Sequence, residues 1–365
     1  MNESEPKPAD HARAGRAEPS GAQPDADPGA EPGAEPGTVE MPLSYATSGE
    51  STTDVSRETS VWQEDTPIAE AAATAVAVLG RRAGDLPRPT RPRVLTVANQ
   101  KGGVGKTTST VNLAAALALH GLRVLVIDLD PQGNASTALA VEHHAEVPSI
   151  YDVLIEGRPL AEVLAPVEAV PGLWCAPATI DLAGAEIELV SLVARESRLH
   201  RALTAFLDEQ ASRPDGGIDF VLIDCPPSLG LLTVNAFVAA REVLIPIQCE
   251  YYALEGLGQL LRSVDLVQAH LNPDLQVSTI LLTMHDARTR LAAQVAEEVR
   301  THFGSVVLRT AIPRSVRVSE APSYAQTVLT YDPGSSGALS YLDAARELAE
   351  RPAPGAPEHE PEVAQ

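Results

Sequence analysis

Short apolar runs alternate with amphipathic stretches through the middle of the chain. The runs are rich in Val, Ile and Leu, which is typical of strands buried on both faces of a parallel sheet. They cover Val94–Ala98, Arg123–Asp128, Phe220–Asp224, Glu242–Ile247 and Val277–Thr283. Apolar residues recur at helical spacing over Lys106–His120, Leu199–Gln210, Leu232–Ala240, Leu254–His270, Arg290–Phe303 and Ala338–Glu350. This alternation predicts an α/β fold with a twisted, mostly parallel sheet flanked by helices on both faces.

The two ends of the chain have a different pattern. Residues 1–65 and 351–365 are rich in Pro, Ala, Gly and acidic residues, and their few large apolar groups cannot offset the entropy lost on ordering. We therefore expect disordered acidic tails there. Thr66 and Pro67 precede a helical pattern that ends at Leu79, so residues 66–92 are predicted to form a short helix and a proline-containing linker. One folded domain is expected over 93–350.

Charge and cysteine content restrict the function classes. The net charge of -22 argues against a protein that coats DNA generally, because cations that meet phosphates dominate such binding. Residues 1–92 hold 16 acidic and 8 basic side chains, so a local basic patch on the folded part is still compatible with the composition. The three cysteines form neither a disulfide framework nor a zinc motif. Without an apolar stretch long enough for a membrane span or a signal peptide, we expect a cytoplasmic protein.

A glycine-rich segment lies between the first predicted strand and the first long helix. It reads Lys101-Gly102-Gly103-Val104-Gly105-Lys106-Thr107-Thr108. Glycines allow consecutive backbone N–H groups to turn inward around an anion, and the helix N-terminus adds partial positive charge. Lys106 is placed to reach the β and γ phosphates of ATP, and the Thr107 hydroxyl to coordinate Mg²⁺. The segment therefore predicts a P-loop NTPase. It departs from the general pattern at two positions: Gln100 stands where the pattern has glycine, and Lys101 is an additional lysine.

Carboxylates follow two neighbouring predicted strands. Asp128 and Asp130 end one strand, and Asp224 ends another, in the position of a metal-facing aspartate. Ligands of such sheets bind beyond the carboxyl ends of the strands, so all three are expected to face one Mg–ATP. We assign Asp128 and Asp224 to the metal site, Asp224 acting through a water. Asp130 is assigned to positioning the attacking water, because hydrolysis needs an oriented water.

These motifs carry a family resemblance. Together with three further segments they resemble the deviant Walker A ATPases and, within that group, the ParA/Soj chromosome-partitioning proteins most closely. The segments are Lys101–Thr108, Asp128–Asn134, Asp224–Ser228, Gln248–Leu257, Asp286–Thr289 and Ile312–Ser323. The resemblance covers about 93–350.

The resemblance implies a weak ATPase that acts in DNA segregation and is associated with the nucleoid. Its ATP-bound form would be a sandwich dimer in which Lys101 reaches the partner subunit's phosphates. The dimer would bind DNA nonspecifically through Arg288 and Arg317, and a ParB-type centromere-binding partner would stimulate hydrolysis and release. Pro313 and Arg314 match positions that hold the adenine. Ser228 and Asn235 match the dimer interface.

Two other functions share the phosphate loop. A MinD-like positioning ATPase would need a basic amphipathic helix for the membrane, and the proline-rich acidic segment 351–365 cannot form one. An ATP-dependent metabolic synthetase, for example of the cobyrinate type, would need a pocket for its carboxylate substrate, which no motif outside the ATP site indicates. Both remain alternatives at this point.

Overall fold

The computed structural model describes residues 85–213, 217–250 and 253–353, together with residues 76, 78 and 80. The predicted tail 1–65 lies outside the described residues, as does most of the segment 354–365. Of the predicted helix that ends at Leu79, only Val76 and Val78 are described, and both are helical.

Eight strands form one sheet. In chain order they are β1 (Arg93–Val97), β2 (Val124–Asp128), β3 (Ala165–Pro166), β4 (Leu173–Ala176), β5 (Phe220–Asp224), β6 (Glu242–Gln248), β7 (Gln276–His285) and β8 (Val307–Pro313). Their order across the sheet is β3-β4-β2-β5-β1-β6-β7-β8. The pair β3–β4 is antiparallel and the other pairs are parallel. The prediction of a mostly parallel sheet is confirmed.

Helices cover both faces of the sheet. They are α1 (Lys106–Leu119), α2 (Asn134–Ala138), α3 (Leu182–Leu189), α4 (Arg198–Ala211), α5 (Leu231–Ala239), α6 (Ala253–His270), α7 (Arg290–Phe303), α8 (Val316–Glu320), α9 (Val328–Tyr331) and α10 (Ser336–Glu350). Side chains of β2 alternate between two apolar cores: Leu125 and Ile127 pack in one, Val124 and Val126 in the other. The first core includes residues of α4 to α7, and the second includes α1 and α10.

The predicted strands and long helices are present with ends shifted by one or a few residues. Sequence reasoning missed β3, β4, β8 and the short helices α2, α3, α8 and α9. The strand β4 has four residues and β3 has two, too few for a periodic signal. In β8 the apolar run is interrupted by Arg309 and Thr310, so it did not have the profile of a strand buried on both faces.

Part of the predicted linker lies against the domain. Leu86 is buried in the same core as α1, and the Arg88 guanidinium donates hydrogen bonds to Asp219 and to the carbonyl of Gly121. The boundary between linker and domain remains a prediction. Among the described residues, no helix is long and apolar enough to cross a membrane.

Candidate nucleotide-binding site

The glycine-rich segment forms a turn between β1 and α1 at the carboxyl edge of the sheet. Gly103 and Gly105 adopt positive φ angles of 74° and 88°, a left-handed conformation that other residues adopt only with strain. Gly105 is the N-cap of α1, and its carbonyl accepts a hydrogen bond from Ser109 N at 2.9 Å. The helix N-terminus, with its unsatisfied N–H groups, therefore begins inside the predicted phosphate loop.

Two polar side chains, one just after β1 and one in β7, hold the backbone of this loop. Asn99 donates from Nδ2 to the carbonyl of Pro246 at 2.8 Å and accepts from Lys101 N at 3.0 Å. Thr283 donates from Oγ1 to the carbonyl of Val104 at 2.8 Å. Sequence reasoning gave neither residue a role. Both hold the loop backbone with donors and acceptors, which preorganises it for an anion.

Lys106 is buried within the loop, with 7% of its surface exposed. Burial lowers the pKa of its ammonium, and the carboxylates of Asp224 and Asp130 oppose that shift. A buried lysine that faces two carboxylates is a strong local positive charge with little water around it. It is therefore suited to bind a phosphate group.

Asp128 and Asp224 end adjacent strands and pair in register. Both are fully buried. Burial is the main cause that raises the pKa of both carboxyls, with repulsion from Asp130 adding at Asp128 and repulsion from Asp128 adding at Asp224. Two adjacent carboxylates are unfavourable in this environment without a cation, so the pair is a place at which positive charge would be stabilised.

The two carboxylates are hydrogen-bonded differently. Asp128 accepts from Asp130 N at 3.1 Å, and from the backbone N and hydroxyl of Ser136 at 2.9 and 2.8 Å. Asp224 accepts from the Thr110 hydroxyl at 3.1 Å through Oδ1, whereas its buried Oδ2 has no hydrogen-bond partner within the described part of the chain. Asp128 thus has both oxygens engaged by its own loop, and Asp224 has one oxygen available for a ligand.

A magnesium ion fits the Asp224 side of this pair. The Oδ2 of Asp224, unpartnered among the described residues, and the nearby Thr107 hydroxyl, which lowers the pKa of Asp224, are oxygen ligands of the kind that Mg²⁺ prefers. Asp128 stands next to Asp224, with one hydrogen bond accepted by its Oδ1 and two by its Oδ2. The metal role of Asp128 and Asp224 stays a prediction.

Asp130 lies in the turn after β2, with 7% of its surface exposed. Its Oδ1 accepts from Gln132 N at 3.0 Å, and its carbonyl accepts from Gly133 N at 2.9 Å. Asp130 is close enough to Lys106 to affect the pKa of that ammonium. A fixed carboxylate beside the phosphate-binding lysine is a suitable group to orient a water.

A small cavity of about 100 Å³ opens beside the loop. It is lined by Gly105 and Thr108 on one side and by Pro313 and Arg314 on the other. Arg314 N donates to the carbonyl of His285 at 3.1 Å. The structure thus brings the predicted adenine-binding residues to the loop they were expected to adjoin.

Lys101 pairs with a carboxylate from outside its own loop. Its Nζ lies 3.4 Å from Glu250 Oε2, and the side chain is 38% exposed. The Arg314 guanidinium lies 3.5 Å from the other oxygen of the same carboxylate. Glu250 therefore contacts two of the cations that were assigned to nucleotide binding, a role that sequence reasoning missed.

Arg288 and Arg317 follow the neighbouring strands β7 and β8 at the same edge of the sheet. Arg288 is 89% exposed and makes a bidentate contact with Asp286, and it holds the pKa of that carboxyl low, at about 2. Arg317 lies 3.3 Å from both Glu320 and Asp332. Exposed pairs of this kind are weak, so phosphates can compete for both guanidinium groups.

The expected interface position of Asn235 is wrong. Asn235 is fully buried, where it accepts from Leu199 N at 3.2 Å and donates to the carbonyls of Arg195 and Leu231. It joins α4 to α5 because an amide can satisfy backbone groups of both. Ser228 is exposed.

The comparisons with known proteins agree with this geometry. A family model described as AAA domain matches residues 92–277. The sporulation initiation inhibitor protein Soj of Bacillus subtilis is 52% identical over 257 residues, which are 70% of this chain and 98% of that protein. The chromosome partitioning protein ParA of Myxococcus xanthus is 50% identical over 73% of this chain and 90% of its own length.

A solved structure is similar as well. Cobyrinic acid a,c-diamide synthase of Mycobacterium smegmatis, with bound ATP analog and magnesium, is 39% identical and has a TM-score of 0.58 over 70% of this chain and 93% of its own. Its name matches the metabolic alternative. The metabolic alternative is not favoured, because this chain is 50% identical to the chromosome partitioning protein ParA and 39% identical to the synthase. This chain belongs to the ParA/Soj family of chromosome-partitioning ATPases.

Proposed function

We propose that this protein segregates DNA through an ATP-controlled dimer. In this proposal two ATP-bound subunits form a sandwich, bind DNA nonspecifically at the nucleoid, and separate after hydrolysis that a ParB-type partner stimulates. ATP is the substrate and Mg²⁺ the metal cofactor, as the nucleotide and metal in the related synthase structure suggest. The observation that carries the proposal is the second lysine, Lys101, whose side chain is partly exposed and pairs with Glu250, whereas Lys106 is buried in the loop.

The residues at the site divide the chemistry between them. The loop N–H groups and Lys106 would bind the phosphates of the subunit's own ATP. When bound, Mg²⁺ would be held by Thr107 and Asp224 and would neutralise charge on the phosphate oxygens. Asp130 would orient a water for attack on the γ phosphate, which gives ADP and phosphate. Pro313 and Arg314 would hold the adenine.

Dimerisation explains how an acidic chain can bind DNA. Each subunit would contribute Arg288 and Arg317, so a dimer would present twice as many cations as a monomer. Affinity rises steeply with the number of phosphates neutralised, and falls as steeply when the dimer separates. Hydrolysis would therefore release DNA without any change in the arginines themselves.

Replacing Lys101 with alanine tests the dimer. We expect the variant to bind a fluorescent ATP analogue like the wild type and to remain monomeric with ATP in sedimentation velocity. The dimer constant should weaken by at least about thirtyfold, because truncating one partner of a desolvated charge pair costs about 2–5 kcal/mol. Glu250→Gln is the matched control, since it removes the negative charge that pairs with Lys101 and Arg314 but keeps the lysine. Normal dimerisation of K101A would contradict the cross-subunit role.

Replacing Arg288 and Arg317 together tests DNA binding. The double alanine variant should lose ATP-dependent gel retardation of DNA while its nucleotide affinity and dimerisation are unchanged. In titrations at several salt concentrations, the slope of log affinity against log salt should become shallower by about 0.9 for each DNA phosphate that the variant no longer neutralises. The control replaces Arg213 and Arg241, which are also exposed arginines in ion pairs. Equal loss of retardation in both double variants would mean that the surface is not specific.

A further inference from the structure

Helix α4 has a charged face beside the face that packs on the domain. Its apolar face is buried in the first core through Leu199, Leu203 and Phe206. Along the adjoining face the following residues recur at helical spacing: Arg198, Arg201, Ala202, Ala205 and Glu209. The two alanines in the middle of this face are small, so the helix leaves space there that a longer side chain would fill. The sequence of α4 therefore combines cations with room beside them.

Two adjoining cavities lie along this face. The first has a volume of about 380 Å³ and the second of about 230 Å³, and Ala161 and Phe206 line both of them. The helix rises about 18 Å from Arg198, in the first cavity, to Gln210, in the second, at about 1.5 Å for each residue. The two cavities form one groove between α4 and the segment 153–166, which we call the α4 groove.

A tight turn forms the wall of the groove opposite the helix. Gly157 follows the π-helical turn Asp152–Glu156 and adopts a φ of 77°, a left-handed conformation that favours glycine. A Cβ at Gly157 would lie 3.6 Å from the Arg198 guanidinium, so the backbone passes close to that side chain. Arg198 donates hydrogen bonds to the carbonyls of Leu154 and Ile155 in the same turn. The wall and the arginine therefore hold each other in place.

The α4 groove is basic in an acidic protein. Five arginines and one glutamate line it, whereas the chain as a whole has a net charge of -22. Arg198 and Arg201 donate to backbone carbonyls, and neither has a carboxylate partner among the described residues. Arg158 and Arg213 have carboxylates at 3.8 and 3.4 Å in partly exposed pairs, which are weak enough for a ligand to compete with them. The groove therefore attracts anionic groups.

The walls of the groove are apolar as well as basic. Val153, Leu160 and Phe206 line the first cavity, and Trp174 lines the second beside the Arg123 guanidinium. A DNA duplex is too wide to enter these cavities, and its phosphates make no use of apolar walls. An acidic peptide with apolar side chains uses both features, because arginine binds carboxylates bidentately and the walls can bury apolar groups. The length of the groove corresponds to about six residues of extended chain.

The groove lies away from the surface proposed for DNA. Pro166 and Trp174, which line the second cavity, belong to β3 and β4, whereas Arg288 follows β7. Five strand spacings separate β4 from β7 in the sheet, or about 24 Å. A segment bound in the groove would therefore leave the arginines proposed for DNA binding uncovered.

We propose that the α4 groove binds an acidic segment of a partner protein in which carboxylates alternate with apolar side chains. The arginines bind the carboxylates, and the apolar walls take up the side chains between them. Because the groove and the proposed DNA surface lie on different parts of the sheet, one subunit can hold such a partner and DNA together. The inference goes beyond the ATP-controlled dimer and does not depend on it.

The test uses a fluorescein-labelled peptide in which glutamate alternates with leucine, titrated with the whole chain in fluorescence anisotropy. Arg158→Gln together with Arg201→Gln should weaken its binding at least about tenfold, because hydrogen bonds between charged groups are the strong ones. Both side chains are at least partly exposed, so the variant should bind a fluorescent ATP analogue like the wild type. The matched control replaces Arg241 and Arg262, exposed arginines outside the groove, with glutamine and should bind the peptide within twofold of the wild type.

A second peptide tests the apolar walls. It keeps the glutamates and has serine in place of each leucine, so it carries the same charge but no apolar side chain. It should bind the wild type at least about tenfold more weakly than the first peptide, because burial of each leucine contributes favourably.

Several outcomes would overturn the inference. It fails if the wild type does not bind the glutamate–leucine peptide, or if the variant of Arg158 and Arg201 binds it as tightly as the wild type does. Equal binding of the serine peptide would mean charge attraction without the groove. If the variant instead loses ATP-dependent dimerisation, a second copy covers the groove. If a single-stranded oligonucleotide binds more tightly than the peptide and its binding is lost in the variant, the ligand is a nucleic acid.

Discussion

An Asp130→Ala variant should bind ATP and dimerise but hydrolyse ATP at least about 100-fold more slowly than the wild type, because general-base and water-orienting groups contribute about 10²–10⁴ in rate. Asp130 is buried beside Lys106. Of the three aspartates at the site, it is the one to which no metal role is assigned. Its loss leaves the phosphate loop and Lys101 in place. The ATP-bound dimer should therefore accumulate.

The measurement is single-turnover release of phosphate, followed in parallel with sedimentation of the same sample. Asp130→Asn is the informative companion variant, because an amide oxygen can still accept from Gln132 N and so preserve the turn after β2. If D130N is as slow as D130A, the carboxylate charge is required. If D130N turns over normally, Asp130 acts only by holding its loop, and the assignment to water positioning is wrong.

The phosphate loop could be predicted because its signal is local. A strand, a run of glycines and a helix are adjacent along the chain, and Gly103 and Gly105 need no distant partner to adopt positive φ. The carboxylates after β2 and β5 were predictable for a related reason. Parallel strands end at one edge, so Asp128 and Asp224 were expected at the same edge of the sheet, and the pairing of β2 with β5 places them side by side.

The residues that sequence reasoning missed act over long separations. Thr283 holds a loop carbonyl that is 179 positions away, and Glu250 is 149 positions from Lys101. Nothing in the local pattern of either residue marks such a contact, because it depends on which strands become neighbours. For Asn235 the prediction assigned a role that the structure does not give it. Its amide hydrogen-bonds to backbone groups that come together only when α4 packs on α5.

The difference between Asp128 and Asp224 could not be predicted from the sequence either. Each ends a buried strand with the same local pattern, and both were assigned to the metal. In the structure, Ser136 and Asp130 N occupy the oxygens of Asp128, whereas one oxygen of Asp224 is left without a partner among the described residues. Equivalent sequence contexts thus give one carboxylate that organises the loop and one that is available to a cation.

Replacing Arg93 with alanine should lower the free energy of unfolding by about 3–5 kcal/mol, because it leaves the buried carboxylate of Glu242 without its counter-ion. The side chains of Arg93 and Glu242 are 3% and 2% exposed. The guanidinium donates to both Glu242 oxygens, at 2.8 and 2.6 Å, and to the carbonyl of Leu348 at 2.8 Å. One side chain thus joins β1, β6 and α10.

The free energy of unfolding is measured by urea unfolding followed by circular dichroism. Two further variants test whether the loss comes from the unpaired buried charge. Arg213→Ala removes one partner of an exposed pair with Glu209 and should cost less than about 1 kcal/mol. The double variant Arg93→Met with Glu242→Leu should cost much less than Arg93→Ala, because well-packed apolar residues leave no charge unpaired. A loss below about 1 kcal/mol for R93A would contradict the account of this pair. Arg93 stands at the amino end of β1 and the phosphate loop follows its carboxyl end, so the folded fraction of R93A should still bind the ATP analogue with wild-type affinity.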